Sequence, residues 1–331
     1  MRRTTYALIA ALAAPACALA QPKAPQVTIT VSSSTGGLYD VTARLFARHL
    51  GRFLPGEPQI IVQNMPGAGG MTAINHLANL APNDGSVLGV ITATTVQMAH
   101  FGDSAARFDP RKLAWIGGRA RETAVCGFWH EAKAASFADL RAGETLVAAS
   151  GPGARSWTHP AMYNALLGTK LRMINGYPGG SEMSLAIERR EADGVCGWSW
   201  GSVKSRTANW LREGKVKILT QAAMKPAPDL PNVPFALDLA ANAGDRAVME
   251  ALLIDTELAW PLVGPPGMPA AKVAQLRAAF AAMTKDGEFL KEAEQRQVDV
   301  DPVRGEEMQT ILARLYEMPP ALVARAKAIF K

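Results

Sequence analysis

The sequence predicts an α/β fold of two lobes, each built on a parallel sheet and joined to the other by a hinge. Three observations carry that prediction. Residues 59–91 read as strand, glycine loop, helix, strand, a βαβ unit that requires parallel pairing. The same order of parts recurs in the second half of the chain. The length of 331 residues, 48% of them hydrophobic and without a long polar tract, suits two cores better than one.

The first unit opens on the alternating, β-branched strand 26–31. Ser32-Ser33-Ser34-Thr35-Gly36-Gly37-Leu38-Tyr39-Asp40 leads into a helix expected over 41–50, with Gly51 as its stop. Ile60-Ile61-Val62 is the next strand, and Pro66-Gly67-Ala68-Gly69-Gly70 follows it. Apolar residues at Met71, Ile74, Leu77, Ala78 and Ala81 then have helical spacing. Pro82-Asn83-Asp84-Gly85 ends that helix, and residues 87–91 form a buried strand. Glycines where a strand enters a helix leave first-turn N–H groups bare, a natural seat for an anion.

In the second half, strand 145–149 runs into Ser150-Gly151-Pro152-Gly153-Ala154-Arg155-Ser156-Trp157-Thr158, with a helix expected over 160–167. Strand 170–174 follows, then Asn175-Gly176-Tyr177-Pro178-Gly179-Gly180-Ser181, a helix through Glu191, and Asp193-Gly194 before a strand. Asn…Pro-Gly…Gly and Asp-Gly thus recur in register. Between the halves, residues 108–117 read as a surface turn and 124–129 as the first crossing strand. Strand 216–220 and the proline-fixed loop 225–234 follow in the second lobe, and a return strand is expected over 257–264. Pro269 opens a helix over 270–283. Two amphipathic tail helices, 287–297 and 304–327, are expected to pack back on the first lobe. The division is therefore 1–20 as a signal peptide, 21–120 plus 258–331 as lobe 1, and 121–257 as lobe 2, with two crossings that act as a hinge.

Residues 1–20 have the anatomy of a cleavable secretory signal: Arg2-Arg3, an apolar core over 6–14, and Ala18-Leu19-Ala20 before Gln21. A buried N-terminal helix, or a lipoprotein acylated at Cys17, are the alternatives, and Ala14-Pro15-Ala16 is a poor lipobox. Removing Arg2 and Arg3 leaves 33 basic against 29 acidic residues, a formal +4 that is scattered. A nucleic-acid partner would need a basic stripe interleaved with aromatics. The expected compartment is the periplasm, and the expected state is a monomer. In an oxidising compartment the remaining pair, Cys126 and Cys196, reads as a disulfide; the alternative is two small buried hydrophobes.

Catalytic and metal sets are not legible. The five histidines lack H-x-x-x-H spacing, and there is no G-x-S-x-G elbow, no Walker motif and no cofactor signature. Ser150 at a strand-to-helix turn, with His159 as its base, is the remaining enzyme reading, a Ser-dependent hydrolase. A binding cleft needs only bare amides, hydroxyls and aromatic walls. Its candidates in the first lobe are Thr35, Gly36, Gly37, Tyr39, Thr92, Thr94 and Thr95. In the second they are Ser150, Gly151, Gly153, Arg155, Ser156, Tyr177, Gly179, Gly180, Ser199 and Trp200. Arg155 is either a bidentate carboxylate clamp or a solvated loop arginine. Trp157, Trp198 and Trp200 are either an aromatic wall or core.

Asn64-Met65-Pro66-Gly67-Ala68-Gly69-Gly70 with Ala81-Pro82-Asn83-Asp84-Gly85 resembles the solute-binding proteins of tripartite tricarboxylate transporters, the Bug-type periplasmic receptors. Phe108-Asp109-Pro110, Tyr177-Pro178-Gly179-Gly180, Leu230-Pro231-Asn232-Val233-Pro234 and Pro265-Pro266-Gly267-Met268-Pro269 support it, so the similarity runs almost end to end after the signal. The resemblance implies a type II, Venus-flytrap, periplasmic-binding-protein-like fold. It implies a receptor that holds a small organic carboxylate by backbone groups and waters and delivers it to membrane permease subunits. The alternative on the same fold is a ligand-dependent partner of a sensor kinase. The loop after the first strand departs from the family's proline- and glycine-rich pattern. Tyr39 adds bulk there, which argues against citrate-like ligands and for an aromatic or other hydrophobic carboxylate.

Overall fold

Two sheets, each laid out in the same order, divide the chain. The computed structural model describes residues 26–258 and 260–330, so the expected signal segment lies outside the described residues. The first pass of the chain gives β1 (Gln26–Val31), α1 (Leu38–His49), β2 (Gln59–Asn64), α2 (Met71–Asn79), β3 (Val87–Val90), α3 (Thr94–His100) and β4 (Ala114–Gly118). After a crossing come β5 (Ala124–Trp129), α4 (Asp139–Ala142), β6 (Thr145–Ala148), α5 (Arg155–Leu167), β7 (Leu171–Ile174) and α6 (Gly180–Glu188). The second pass ends with β8 (Gly194–Ser199), α7 (Trp200–Arg206), α8 (Ala208–Arg212), β9 (Val216–Ala222) and α9 (Ala243–Leu252). The chain returns as β10 (Pro261–Gly264), α10 (Ala270–Met283), α11 (Gly287–Gln295), β11 (Val303–Arg304), α12 (Gly305–Tyr316) and α13 (Pro320–Ala328).

The six-stranded sheet runs β11-β4-β10-β3-β1-β2 and the five-stranded sheet β7-β6-β8-β5-β9. Within each, the repeated βαβ unit supplies three parallel strands at one edge, β2-β1-β3 in one and β7-β6-β8 in the other. The strand that arrives after each crossing, β5 or β10, is inserted antiparallel next to that trio. The sheets are therefore mixed and not wholly parallel, because an arriving strand enters from the opposite lobe and runs the other way. Residues 108–117, expected as a surface turn, include most of β4, whose Trp115 and Ile116 are buried between helices.

Helix boundaries moved for identifiable reasons. α1 starts at Leu38 and α5 at Arg155, ahead of the expected 41 and 160. Pro160 lies inside α5 instead of opening it, at the cost of one intrahelical hydrogen bond. The expected helix 304–327 is two, because Pro319-Pro320 cannot continue α12 and instead begins α13.

Below the first sheet, Phe46 meets Phe280 edge-on at 5.4 Å and stacks with Phe289 at 6.4 Å, pinning α1 against α10 and α11. Each such ring removed from water contributes roughly 1.5–3 kcal/mol. A larger apolar cluster crosses between the lobes, joining Met71, Ile74 and Leu77 of α2 to Phe128 of β5, Met162 of α5, Leu252 of α9 and Leu312 of α12. Cys126 and Cys196 are disulfide-bonded, linking β5 to β8 where the pairing register shifts. A bridge of this kind typically contributes about 2–4 kcal/mol.

On the outer surface, Glu292 of α11 is held by Arg48, His49 and Arg296. Partial burial pushes its carboxyl up, but these partners outweigh that and pull it from 4.5 to about 2. A depressed acid stabilises the fold fully above its unfolded pKa and loses that contribution as pH falls through the folded one. Urea unfolding is therefore expected to find Glu292→Gln less stable than the parent at pH 6. The gap should close as the pH drops from 4.5 towards 2; a gap constant over that window would remove Glu292 from the acid response.

Candidate ligand-binding cleft

Four helix N-termini enter the space between the sheets. α1 and α2 come from the first lobe, and α5 and α6 from the second. Their N-cap positions are Gly37, Gly70, Ala154 and Gly179, and none offers a side-chain cap. By contrast Ser199, Asn242 and Asp286 cap α7, α9 and α11 with their own side chains. Uncapped first turns leave N–H donors and the positive end of the helix dipole facing the cleft.

The four ends meet in two pairs. At one junction α1 faces α6: a Cβ added to Gly37 would come within 3.9 Å of the Gly180 amide nitrogen. There Ser34 Oγ donates to Glu182 Oε2 at 2.8 Å across the lobes. At the other junction the loop before α2 lies directly on the start of α5. Gly69 has φ +63°, and a Cβ there would stand 2.5 Å from Ala154 N and 2.7 Å from Gly153 N. Thr94 Oγ1 donates to the Gly153 carbonyl at 2.8 Å beside it. Between the junctions lies a cavity of about 310 Å³. A larger groove, about 920 Å³, lies between α10, α12 and β11 on the outside of the first lobe, away from these helix ends.

Ten expected residues line the cavity. Gly37, Tyr39 and Thr92 come from the first lobe; Ser150, Arg155, Ser156, Tyr177, Gly179, Gly180 and Ser199 come from the second. Seven do not line it, and each has other work. Thr35 is exposed and donates to Asn64 Oδ1, and the Gly36 amide donates to Asp40 Oδ2 to close the turn before α1. Thr94 and Gly153 form the inter-lobe contact, and Thr95 donates to the Thr92 carbonyl. Gly151 accepts from the Ala154 amide beside the Gly69 loop. Trp200 is packed in the second-lobe core and donates Nε1–H to Asp229 at 2.8 Å. Of the other tryptophans, Trp198 lines the cavity whereas Trp157 turns away to Phe330.

Arg155 is neither a solvated loop arginine nor a free clamp. It is buried at the first position of α5, and Nε donates to Asp255 Oδ2 at 2.5 Å. Burial alone would push the fully buried Asp255 carboxyl up, but Arg155 and His159 hold it below its ordinary value. Asp255 and Glu122 sit on the two segments that cross between the sheets, and the Glu122 amide donates to the Thr256 carbonyl at 2.9 Å, tying the crossings together. Burial pushes the Glu122 carboxyl up against the opposing pull of Arg155 and Arg119. Arg119, driven down to about 10 by burial, stacks 4.9 Å over the ring of Trp260. His159 faces Asp255, with Nε2 3.8 Å from Oδ1, and makes no hydrogen bond to Ser150 among the described residues.

Sequence reasoning missed Trp260, Met183 and Ser202 as lining residues. Trp260 left one trace, a bulky residue immediately before Pro261 at the expected return strand.

The repeat of layout, the antiparallel inserted strands and the two crossings decide the comparison with solved structures. BugD, a periplasmic binding protein, superimposes with a TM-score of 0.72 at 20% identity, over 92% of this chain and 97% of its own. MatC from Rhodopseudomonas palustris, with bound malate, gives 0.70 at 20% identity over 92% and 99%. An R. palustris protein with adipate gives 0.70 at 20% over 92% and 95%. The chain has the fold of a periplasmic binding protein. In that fold the space between the lobes is the cleft described above. No family model matches the sequence, and no curated protein matches it. No helix among the described residues is long and apolar enough to cross a membrane.

Proposed function

We infer that this protein is a solute receptor of the Bug-type family that closes its two lobes on a small organic carboxylate and passes it to membrane permease subunits. The observation that carries the reading is the pairing of uncapped helix N-termini from opposite lobes around a cavity of about 310 Å³. Each such end favours an anion by roughly 0.3–1 kcal/mol when exposed and up to about 2 when partly buried, so four can hold a carboxylate without a free cation. MatC carries malate and a second neighbour carries adipate, which supports a carboxylate here. The domain division at 120/121 and 257/258 fits a clamp whose hinge is the two crossings. Export to the periplasm follows from the signal-like residues 1–20.

Two measurements test the reading. Calorimetry of the mature chain against a panel of mono- and dicarboxylates should find a binder without turnover. Hydrolysis of an ester that is lost in Ser150→Ala would replace the receptor with a hydrolase.

A further inference from the structure

We propose, resting on the receptor reading above, that the ligand is a monocarboxylate whose body is one planar aromatic ring, and that Trp260 is the residue that selects the ring. The cavity, about 310 Å³, lies at the small end of the roughly 300–1,000 Å³ range of ligand pockets, which limits the guest to about one ring. Beside the glycine and serine turns its walls are apolar: Leu38 and Tyr39 in the first turn of α1, Met183 in α6, and Trp198 and Trp260.

Trp260 is held in an unusual way. Its φ is +57°, in the left-handed region that bulky residues avoid, and Pro261 follows it directly. Strain of this kind persists only where the surroundings over-determine it, and here they do. The Arg119 guanidinium covers the indole at 4.9 Å, and Tyr39 packs on it with ring centroids 4.5 Å apart at 50°. The indole is 3% exposed, yet it borders the cavity. A rigid aromatic plate presented in this way offers a ring an offset-stacked or edge-to-face partner.

The lining offers no free cation for a second carboxylate. The one charged side chain in the lining is Arg155, and Asp255 already occupies its Nε–H. Arg155 and Arg119 beside the aromatic wall are matched by Asp255 and Glu122, so neither guanidinium is left free for a ligand. A dicarboxylate would set its far end against apolar faces, losing hydration without gaining a free cation. A monocarboxylate leaves only its ring there.

The test is calorimetric titration of the full mature chain with benzoate, cyclohexanecarboxylate, malate and adipate, repeated on Trp260→Leu and Trp260→Phe. Benzoate is expected to bind tightest and to change tryptophan fluorescence. Trp260→Leu should weaken benzoate roughly tenfold and cyclohexanecarboxylate by about threefold or less, with Trp260→Phe restoring most of the loss. Malate or adipate binding as tightly as benzoate overturns the inference and leaves the receptor standing. Equal loss for both cyclic acids in Trp260→Leu, without recovery in Trp260→Phe, overturns the role of Trp260. Silence from all four acids overturns the receptor reading together with this one.

Discussion

Asp255→Ala is expected to lower the unfolding free energy by about 3–5 kcal/mol. The carboxylate is fully buried and takes the Arg155 Nε–H at 2.5 Å, so removing it strands a guanidinium that is itself 9% exposed. Replacing both partners, Arg155→Met with Asp255→Leu, should recover most of that loss, because the pair's attraction mainly offsets its own desolvation. Chemical denaturation of the two variants separates the cases; a single mutant within about 1 kcal/mol of the parent would mean that the pair is open to water. The sign with pH follows from the depressed Asp255 carboxyl. Its contribution is complete above the ordinary value of 3.8 and is lost as pH falls through the lower folded one.

Gly69→Val is expected to weaken ligand binding by about 5- to 150-fold, corresponding to roughly 1–3 kcal/mol of overpacking in the closed state. The side chain would collide with backbone at Gly153 and Ala154 on the other lobe, atoms that cannot rotate aside. It would also strain φ at +63°, which affects open and closed forms alike. Gly214→Ala supplies the control: its φ is +64°, with nothing within 4 Å of an added Cβ. If the two substitutions reduce affinity equally, the inter-lobe contact has no part in closure.

The fold was largely legible because its signals are local. Alternating β-branched strands, glycine loops and Asp-Gly turns mark each βαβ unit, and a twofold repeat of them is hard to mistake. What stayed hidden depends on long-range pairing. The strand β4 looks like a surface segment until β10 and β11 flank it, and the insertion of β5 and β10 is decided by partners far away in sequence. The loops of the cleft were found as loops, but which of their residues face inward was not. Thr94 and Gly153 were chosen for their chemistry, and the structure uses that chemistry to join the lobes. Arg155 looked free because its partner, Asp255, lies 100 residues on. Trp260 was passed over because nothing in its neighbours announces a left-handed backbone.

The apolar cluster that passes from one sheet to the other lies beside α2 and α5, whereas the separate clusters of the two lobes lie beyond α1 and α6. An opening movement that parts α2 from α5 would expose some of that shared interior, so the separation is expected to be smaller there than between α1 and α6. A fluorescent dye pair at Thr35 and Arg206 would therefore travel further on ligand uptake than one at Ala68 and Pro152, which makes the first pair the better site for a biosensor.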